Sequence, residues 1–395
     1  MIDKLGNMCT GCYACVNACP KSCISMVENK EGFWFPQIDP NKCVNCDMCE
    51  KACPVLHKIP IDKTEDDIKV FALVHKDEDI RKHSSSGGAF SAIANYVLSQ
   101  GGVVFGAAFD EKFDVHHICV DSPDDLHKLR GSKYVQSRIG SAYKQAKEFL
   151  NAGRLVFFTG TACQTSGLIG YLGCDYDNLI TQDLICHGVP SPMVWRKYIE
   201  FRERLERSRV NHIFFRDKTH GWHDWHFAMN FENGAAYKQS QHEDMMIKAF
   251  LHGKCSRECC YHCKFKQKYR LADFTLADYW GIQNIAPELD DDRGISSVYV
   301  NSAKAMKIME AISDDVILRR MELELAVAHN VAMIESERVR EDRAAFLKDM
   351  SRKPFDMVIG KYIDQISLGT KVRWTLRRVF GNRVYDFIRM KLTRG

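Results

Sequence analysis

Two cysteine runs of one spacing, a strand–helix alternation from residue 70 and a basic C-terminus with apolar spacing predict a three-part chain. The parts are an α+β unit at 1–60, an α/β unit at 69–345 and a helical extension at 346–395. The chain has 395 residues, too many for the first unit alone and enough for one or two further domains. Its 45% hydrophobic content supports an ordinary buried core.

In the first unit, Cys9, Cys12, Cys15 and Cys19 fall at C-x2-C-x2-C-x3-C, with Pro20 next. Cys43, Cys46, Cys49 and Cys53 repeat that spacing before Pro54. Three closely spaced thiolates wrap one corner of an iron–sulfur cubane, and in two-cluster ferredoxins the fourth ligates the other cluster. The pattern therefore assigns Cys9, Cys12, Cys15 and Cys53 to one 4Fe–4S cluster, and Cys43, Cys46, Cys49 and Cys19 to its twin. Each proline ends the helix that would carry the fourth thiolate out of reach. A zinc ribbon would leave the third close cysteine of each run redundant, and disulfides need an oxidising compartment. Between the runs, Ile24, Met26, Phe33 and Phe35 alternate about Glu31-Gly32, which predicts a β-hairpin. Residues 55–68, charged and containing Pro60, read as a linker.

From Val70 the pattern changes. Val70–Val74, Val103–Phe109, Leu155–Phe158 and Leu179–Ile185 are apolar runs of strand length. Helical periodicity separates them at 89–98, at 140–152, from Thr161 to Leu172, and from Ser191 to Arg207 behind Pro192. Such alternation predicts α/β architecture. Strands dominate from Val210 to Tyr237, recur at Phe274–Ala277 and Ser297–Val300, and give way to helices.

Further cysteines lie in this second unit. Cys163 opens a helix, where free N–H groups and the dipole stabilise a thiolate. Cys186 ends a strand, and Cys260 and Cys263 form a C-x2-C knuckle. Each alone also suits a small buried hydrophobe; together they supply four ligands.

The stretches SSSGGAFSAI (84–93), LRGSKYVQS (129–137), FTGTACQTSGL (158–168), DLICHGVPSP (183–192), FRDKTHGW (215–222), CCYHCKFK (259–266) and LADFTLADYWGI (271–282) resemble, in order and spacing, the coenzyme F420 hydrogenase/dehydrogenase beta-subunit family. The resemblance implies an α/β flavin-binding domain, FAD and a third 4Fe–4S cluster on Cys163, Cys186, Cys260 and Cys263. It leaves Cys23, Cys119, Cys174, Cys255 and Cys259 unassigned, with Cys255 and Cys259 near enough to replace the fourth ligand. Ala162 stands where the family usually has proline, and Ala277 where it has glycine.

For the flavin, Ser84, Ser85, Ser86, Gly87 and Gly88 form a small turn feeding a helix, which presents N–H groups to a phosphate or simply caps the helix. Gly131, Ser132, Lys133 and Tyr134 match the family segment beside the flavin, where Lys133 reads either as positive charge near the ring or as a solvated lysine. Asp273 and Asp278 flank a short strand, and the resemblance puts both near the cofactor. No G-x-G-x-x-G or P-loop is present. His220, His223 and His226 invite a metal, but strand alternation over 222–231 puts His223 and His226 on opposite faces. Arg216 and Lys218 read either as anion contacts or as surface charges. No catalytic residue stands out.

Net charge is +4, and residues 361–395 hold nine Lys/Arg against Asp364 and Asp386. The basic charge is confined to one end, so a nucleic-acid partner is not supported. Residues 370–395 suit either a helix packed on the body or peripheral contact with the inner membrane surface. The first residues lack an apolar signal run, which predicts a cytoplasmic protein. The expected function is an iron–sulfur flavoprotein oxidoreductase exchanging electrons with a ferredoxin-like carrier. Alternatives are a deazaflavin (coenzyme F420) oxidoreductase, a non-catalytic electron-transfer subunit of a larger complex, or a redox sensor.

Overall fold

The computed structural model describes residues 2–363. The chain opens with a 3-10 helix at Ile2–Met8 and a short helix at Ala14–Ala18. The hairpin β1 (Ile24–Glu28) and β2 (Trp34–Ile38) pairs antiparallel about Gly32, whose φ of +84° suits glycine alone. A second short helix occupies Met48–Lys51. The internal repeat is visible in the backbone. Gly11 and Tyr13 have φ of 68° and 64°, and Asn45 and Asp47, 34 positions later, have 51° and 58°. Left-handed backbone at Tyr13 and Asn45 costs energy, and such strain concentrates where a loop must turn its N–H groups inward. Gly11 N–H points at the Cys9 Sγ, 3.4 Å away.

The second unit is built on eight strands. They are β3 (Lys69–His75), β4 (Val103–Phe109), β5 (Val115–Val120), β6 (Val156–Thr159), β7 (Leu179–Leu184), β11 (Phe274–Asp278), β12 (Ser296–Val300) and β13 (Val316–Met321). Their order is β13-β3-β12-β11-β7-β6-β4-β5. The centre, β11-β7-β6-β4, is parallel, and the pairings outside it are antiparallel. Two reversals make β3 point the same way as β11, so the carboxyl ends of β3, β4, β6, β7 and β11 share one rim, where ligands bind in open α/β sheets. Helices Ala89–Ser99 and Ala303–Ala311 bury one face, with Ile93, Val97, Phe157 and Ile308 in the core. Helices Ala142–Asn151 and Ala162–Leu172 bury the other. A three-stranded sheet of β8 (Val210–Asp217), β9 (His226–Phe231) and β10 (Ala236–Ser240) packs with helix Pro192–Glu206 around Trp195 and Phe215.

Three expectations need correction. β5 was not anticipated, and β13 lies where only helices were expected: Val316 packs inward, while the rest of this edge strand is half-exposed or exposed and so weakly patterned. β9 begins only at His226, so His223 lies in the preceding loop and the argument from opposite faces does not apply to it. The division expected at 345/346 falls inside helix Arg343–Met350, whose Phe346, Leu347 and Met350 join the same core as Trp195. The stretch 370–395 lies outside the described residues.

The first unit is docked tightly. Gly167 and Gly170 of helix Ala162–Leu172 face it: a Cβ on Gly170 would sit 2.6 Å from the Ala52 carbonyl oxygen, and one on Gly167 3.1 Å from Cys12 Sγ. Buried Arg343 ion-pairs with Glu31 in the β1–β2 turn and with Glu258. Among the described residues, no helix is long and apolar enough to cross a membrane.

Candidate functional site

The cysteines ring three cavities. Cys9, Cys12, Cys15 and Cys53 line the first, together with Ile2, Leu5, Met26 and Val55. Cys43, Cys46, Cys49 and Cys19 line the second. Cys163, Cys186, Cys260 and Cys263 line the third. Each set is the foursome that the spacing or the resemblance assigned. Among the described residues no three Cys, His, Asp or Glu side chains close on a single-ion site. A cubane holds its four thiolates on separate irons, so its ligands surround a space instead of meeting at a point.

Two cavities also hold a fifth thiol. Cys23 lines the second, its Sγ 3.2 Å from that of Cys19 and its N–H 3.4 Å from the same sulfur. Cys259 lines the third. Cys255 is fully buried and lines none of the three cavities. Burial pushes the Cys12 and Cys186 thiols up to about 12, and Cys163 well above its ordinary value. Thiolates so placed require cationic ligands in the cavity to hold their charge. Of the residues lining the third cavity, Thr10 Oγ1 and Arg270 Nε are buried without a hydrogen-bond partner, and His187 Nε2 lies 3.2 Å from the Glu337 carboxylate. Such donors suit the sulfur atoms of a cluster. The four-thiol sets, with these donors, fit 4Fe–4S groups.

The cavities adjoin. Thr10 lines both the first and the third. Cys15, Cys19, Cys43, Cys49, Cys53, Cys163 and Cys263 pack in one apolar cluster with Ile24, Val55 and Phe265. The second cavity opens to solvent: Cys46 is exposed, flanked by Val44 at 57% and Met48 at 46% exposure. Sequence reading missed Thr10, Gln136, His187, Lys266 and Arg270 around the third cavity, because none carries a spacing signal. Lys266 Nζ, for example, donates to the Cys186 and Ala332 carbonyls at 2.8 and 2.7 Å.

The sheet rim gathers most of the expected flavin residues. Ser85 Oγ lies 2.8 Å from Ser132 Oγ and accepts the Ser132 N–H at 2.7 Å, joining the 84–88 and 131–134 loops. Gly87 has no room for a Cβ, which would meet the Leu73 carbonyl oxygen at 2.2 Å, and its N–H is taken by Ser296 Oγ. Gly88, at φ +96°, starts helix Ala89–Ser99. Tyr134 accepts a hydrogen bond from Arg216, whose guanidinium clamps Asp278 at 2.8 and 3.1 Å. Trp222 Nε1 also donates to Asp278, and its ring stacks on Trp280 at 4.7 Å.

Lys218 Nζ donates to the Arg81, Ser86 and Arg293 carbonyls, using all three ammonium protons. Burial, then Arg81 and Arg216, pull its pKa down to about 7. Burial brings Lys133, held by the Leu129, Arg130 and Gly131 carbonyls, to about 7 as well. Arg216 and Lys218 are thus built into the rim and are not surface charges. Arg216 and Lys218 near Asp278, a tight glycine turn and stacked indoles suit an anionic, aromatic group such as FAD.

Asp273 does not belong with this group. It lies just before β11, roughly 17 Å from Asp278 at strand rise, and accepts from Thr181 N, Thr181 Oγ1 and Ser302 Oγ on the far side of the sheet. Its role is structural. His223 contacts Asp290, and the His226 ring lies 4.5 Å from that of His220. Contacting rings connect the rim to the third cavity: Tyr134 lies 5.3 Å from Phe250, and Phe250 5.0 Å from His187, which follows Cys186.

Residues 70–144 match the family model "Coenzyme F420 hydrogenase/dehydrogenase, beta subunit N-term", and residues 153–324 match the companion model for the C terminus of the same beta subunit. Residues 8–56 match a 4Fe-4S dicluster domain. The F subunit of the F(420)H(2) dehydrogenase of Methanosarcina mazei is 24% identical over 172 residues, which is 40% of this chain and 46% of that protein. The chain thus matches about half the length of that relative. An uncharacterised protein of Porphyra purpurea is 42% identical over 62 residues, 14% of this chain and 77% of that one. Among solved structures, a chain of the F420-reducing NiFe hydrogenase complex from Methanosarcina barkeri overlays with a TM-score of 0.46 at 17% identity, covering 67% of this chain and 89% of that one.

Proposed function

The chain belongs to the coenzyme F420 hydrogenase/dehydrogenase beta-subunit family, and from that premise we propose that it is an iron–sulfur flavoprotein oxidoreductase with three 4Fe–4S clusters and FAD. A bound FAD would supply exchange between electron pairs and single electrons, and bound clusters would supply single-electron transfer. The observation that carries the reading is the row of adjoining thiol-lined cavities, from exposed Cys46 inward to Cys163 and the sheet rim.

This chain's own residues do three things in that scheme. The twelve cysteines hold iron, and the apolar packing of Ile24, Val55 and Phe265 shields those that share its cluster, such as Cys15, Cys53 and Cys163. At the rim, Ser84–Gly88 and Gly131–Tyr134 would position the flavin, with Lys133 and Lys218 favouring negative charge there. The Arg216–Asp278 clamp holds Tyr134 and Trp222 in place. Because Cys46 in the second cavity and its neighbours are exposed, a ferredoxin-like carrier would meet the protein beside Val44 and Met48. The organic substrate is held at the opposite end, beside the rim.

Stopped-flow mixing with reduced coenzyme F420, NADPH and reduced ferredoxin in parallel tests this. Flavin bleaching with at least one donor is expected. Bleaching by none contradicts an enzymatic role and favours a sensor. Bleaching by reduced coenzyme F420 would select the second reading, a deazaflavin oxidoreductase, which the M. mazei relative favours.

A further inference from the structure

Arg257 is 1% exposed, and among the described residues it has no carboxylate within ion-pair distance. Its guanidinium donates only to neutral acceptors: the Cys9 carbonyl at 2.8 Å, the Trp34 carbonyl at 3.1 Å and Gln136 Oε1 at 3.2 Å. The rings of Phe35 and Phe33 lie 4.2 and 5.4 Å from it. A fixed buried cation with no counter-charge is expensive to keep, so a compensating negative charge is expected close by.

Its position says where that charge belongs. The backbone of Arg257 opens the 3-10 turn Glu258–His262, and its carbonyl accepts the N–H of Cys260, a residue of the third cavity. Its side chain reaches the other way, to the carbonyl of Cys9 in the first cavity. Gln136, which it also binds, lines the third cavity. Gly11, at φ +68°, lets the Cys9–Cys12 loop come this close, since a Cβ there would lie 3.1 Å from Arg257 Nη1. One cation therefore stands between two thiolate sets.

We propose that Arg257 is the shared counter-charge of the first and third clusters, holding both reduction potentials above the values their ligands alone would set. The inference rests on the three-cluster reading. Reduction adds an electron to an already anionic group, and a nearby fixed cation stabilises the more negative state, which raises the potential. The second cavity shares no residue with this arrangement and is left largely unaffected.

The test is an EPR-monitored potentiometric titration of the full chain, purified anaerobically, with iron counted in every preparation. Arg257→Gln keeps hydrogen-bonding capacity but removes the charge, and Arg257→Lys keeps the charge but loses the planar fork. Arg257→Gln is expected to move two of the three midpoints to more negative potential at unchanged iron, while Arg257→Lys stays close to the parent. Unmoved midpoints in a fully loaded Arg257→Gln protein overturn the proposal. So does an Arg257→Lys shift as large as that of Arg257→Gln, since that pattern belongs to a merely structural arginine. A parent protein without iron would instead overturn the reading beneath it.

Discussion

Gly170→Ala isolates the docking of the first unit from the chemistry inside it. Alanine in a helix interior is favoured over glycine by about 1 kcal/mol, so a free site would be stabilised. At Gly170 the new Cβ lies 2.6 Å from the Ala52 carbonyl oxygen and 3.3 Å from the Ala52 carbonyl carbon. The contact is with backbone, which cannot rotate aside, so the peptide must retreat by roughly 0.5–1 Å at a cost of about 1–3 kcal/mol for an overpacked contact. The net effect is a destabilisation of about 0–2 kcal/mol, small for the whole fold. Locally it is decisive, because Ala52 precedes Cys53, the fourth thiol of the first cavity. Gly360→Ala, in helix Phe355–Tyr362 with nothing within 4 Å of the added atom, is the control. Iron per chain and the cluster EPR signal of anaerobic protein measure the outcome. Gly170→Ala should lose about four irons, the content of one cubane, while Gly360→Ala loses none. A Gly170→Ala protein with full iron and parental EPR would refute the claim that this helix face positions Cys53.

Other outcomes follow from the same structure. Cys260→Ser should cost one cluster, and Cys255→Ser should not; if Cys259→Ser loses the iron while Cys260→Ser keeps it, the third ligand set is misassigned. Cys23→Ala should retain iron and shift one midpoint negative, because a hydrogen bond donated to the Cys19 sulfur is lost; an unmoved titration rejects that role. Lys133, lowered to about 7 by burial, binds fewer protons folded than unfolded up to its ordinary value of about 10.4. Stability should therefore climb between pH 7 and 10. Urea midpoints across that window should rise less in Lys133→Met, and an equal rise would show that Lys133 does not titrate as described.

Much of this was legible in the sequence for identifiable reasons. Cubane ligation imposes fixed spacing, so Cys9 through Cys53 announce themselves, and buried parallel strands such as Val103–Phe109 read as continuous apolar runs. Helix Pro192–Glu206 was marked by Ser191, which caps it, and by Pro192. What failed to read was non-local or weakly patterned. β13 is an edge strand whose order depends on pairing with β3, and no local signal says so. Asp273 and Asp278 sit five residues apart, but a strand carries them to opposite ends of the sheet. Arg257, Gln136 and Thr10 matter only because two distant loops meet there, and Gly167 and Gly170 look like ordinary helix glycines until the first unit is packed on them.

The most direct test of the central claim is a metal, sulfide and flavin count on protein purified without oxygen. The account predicts about twelve irons, as many sulfides and one FAD per chain. A colourless preparation, or one that holds zinc and no flavin, would contradict it.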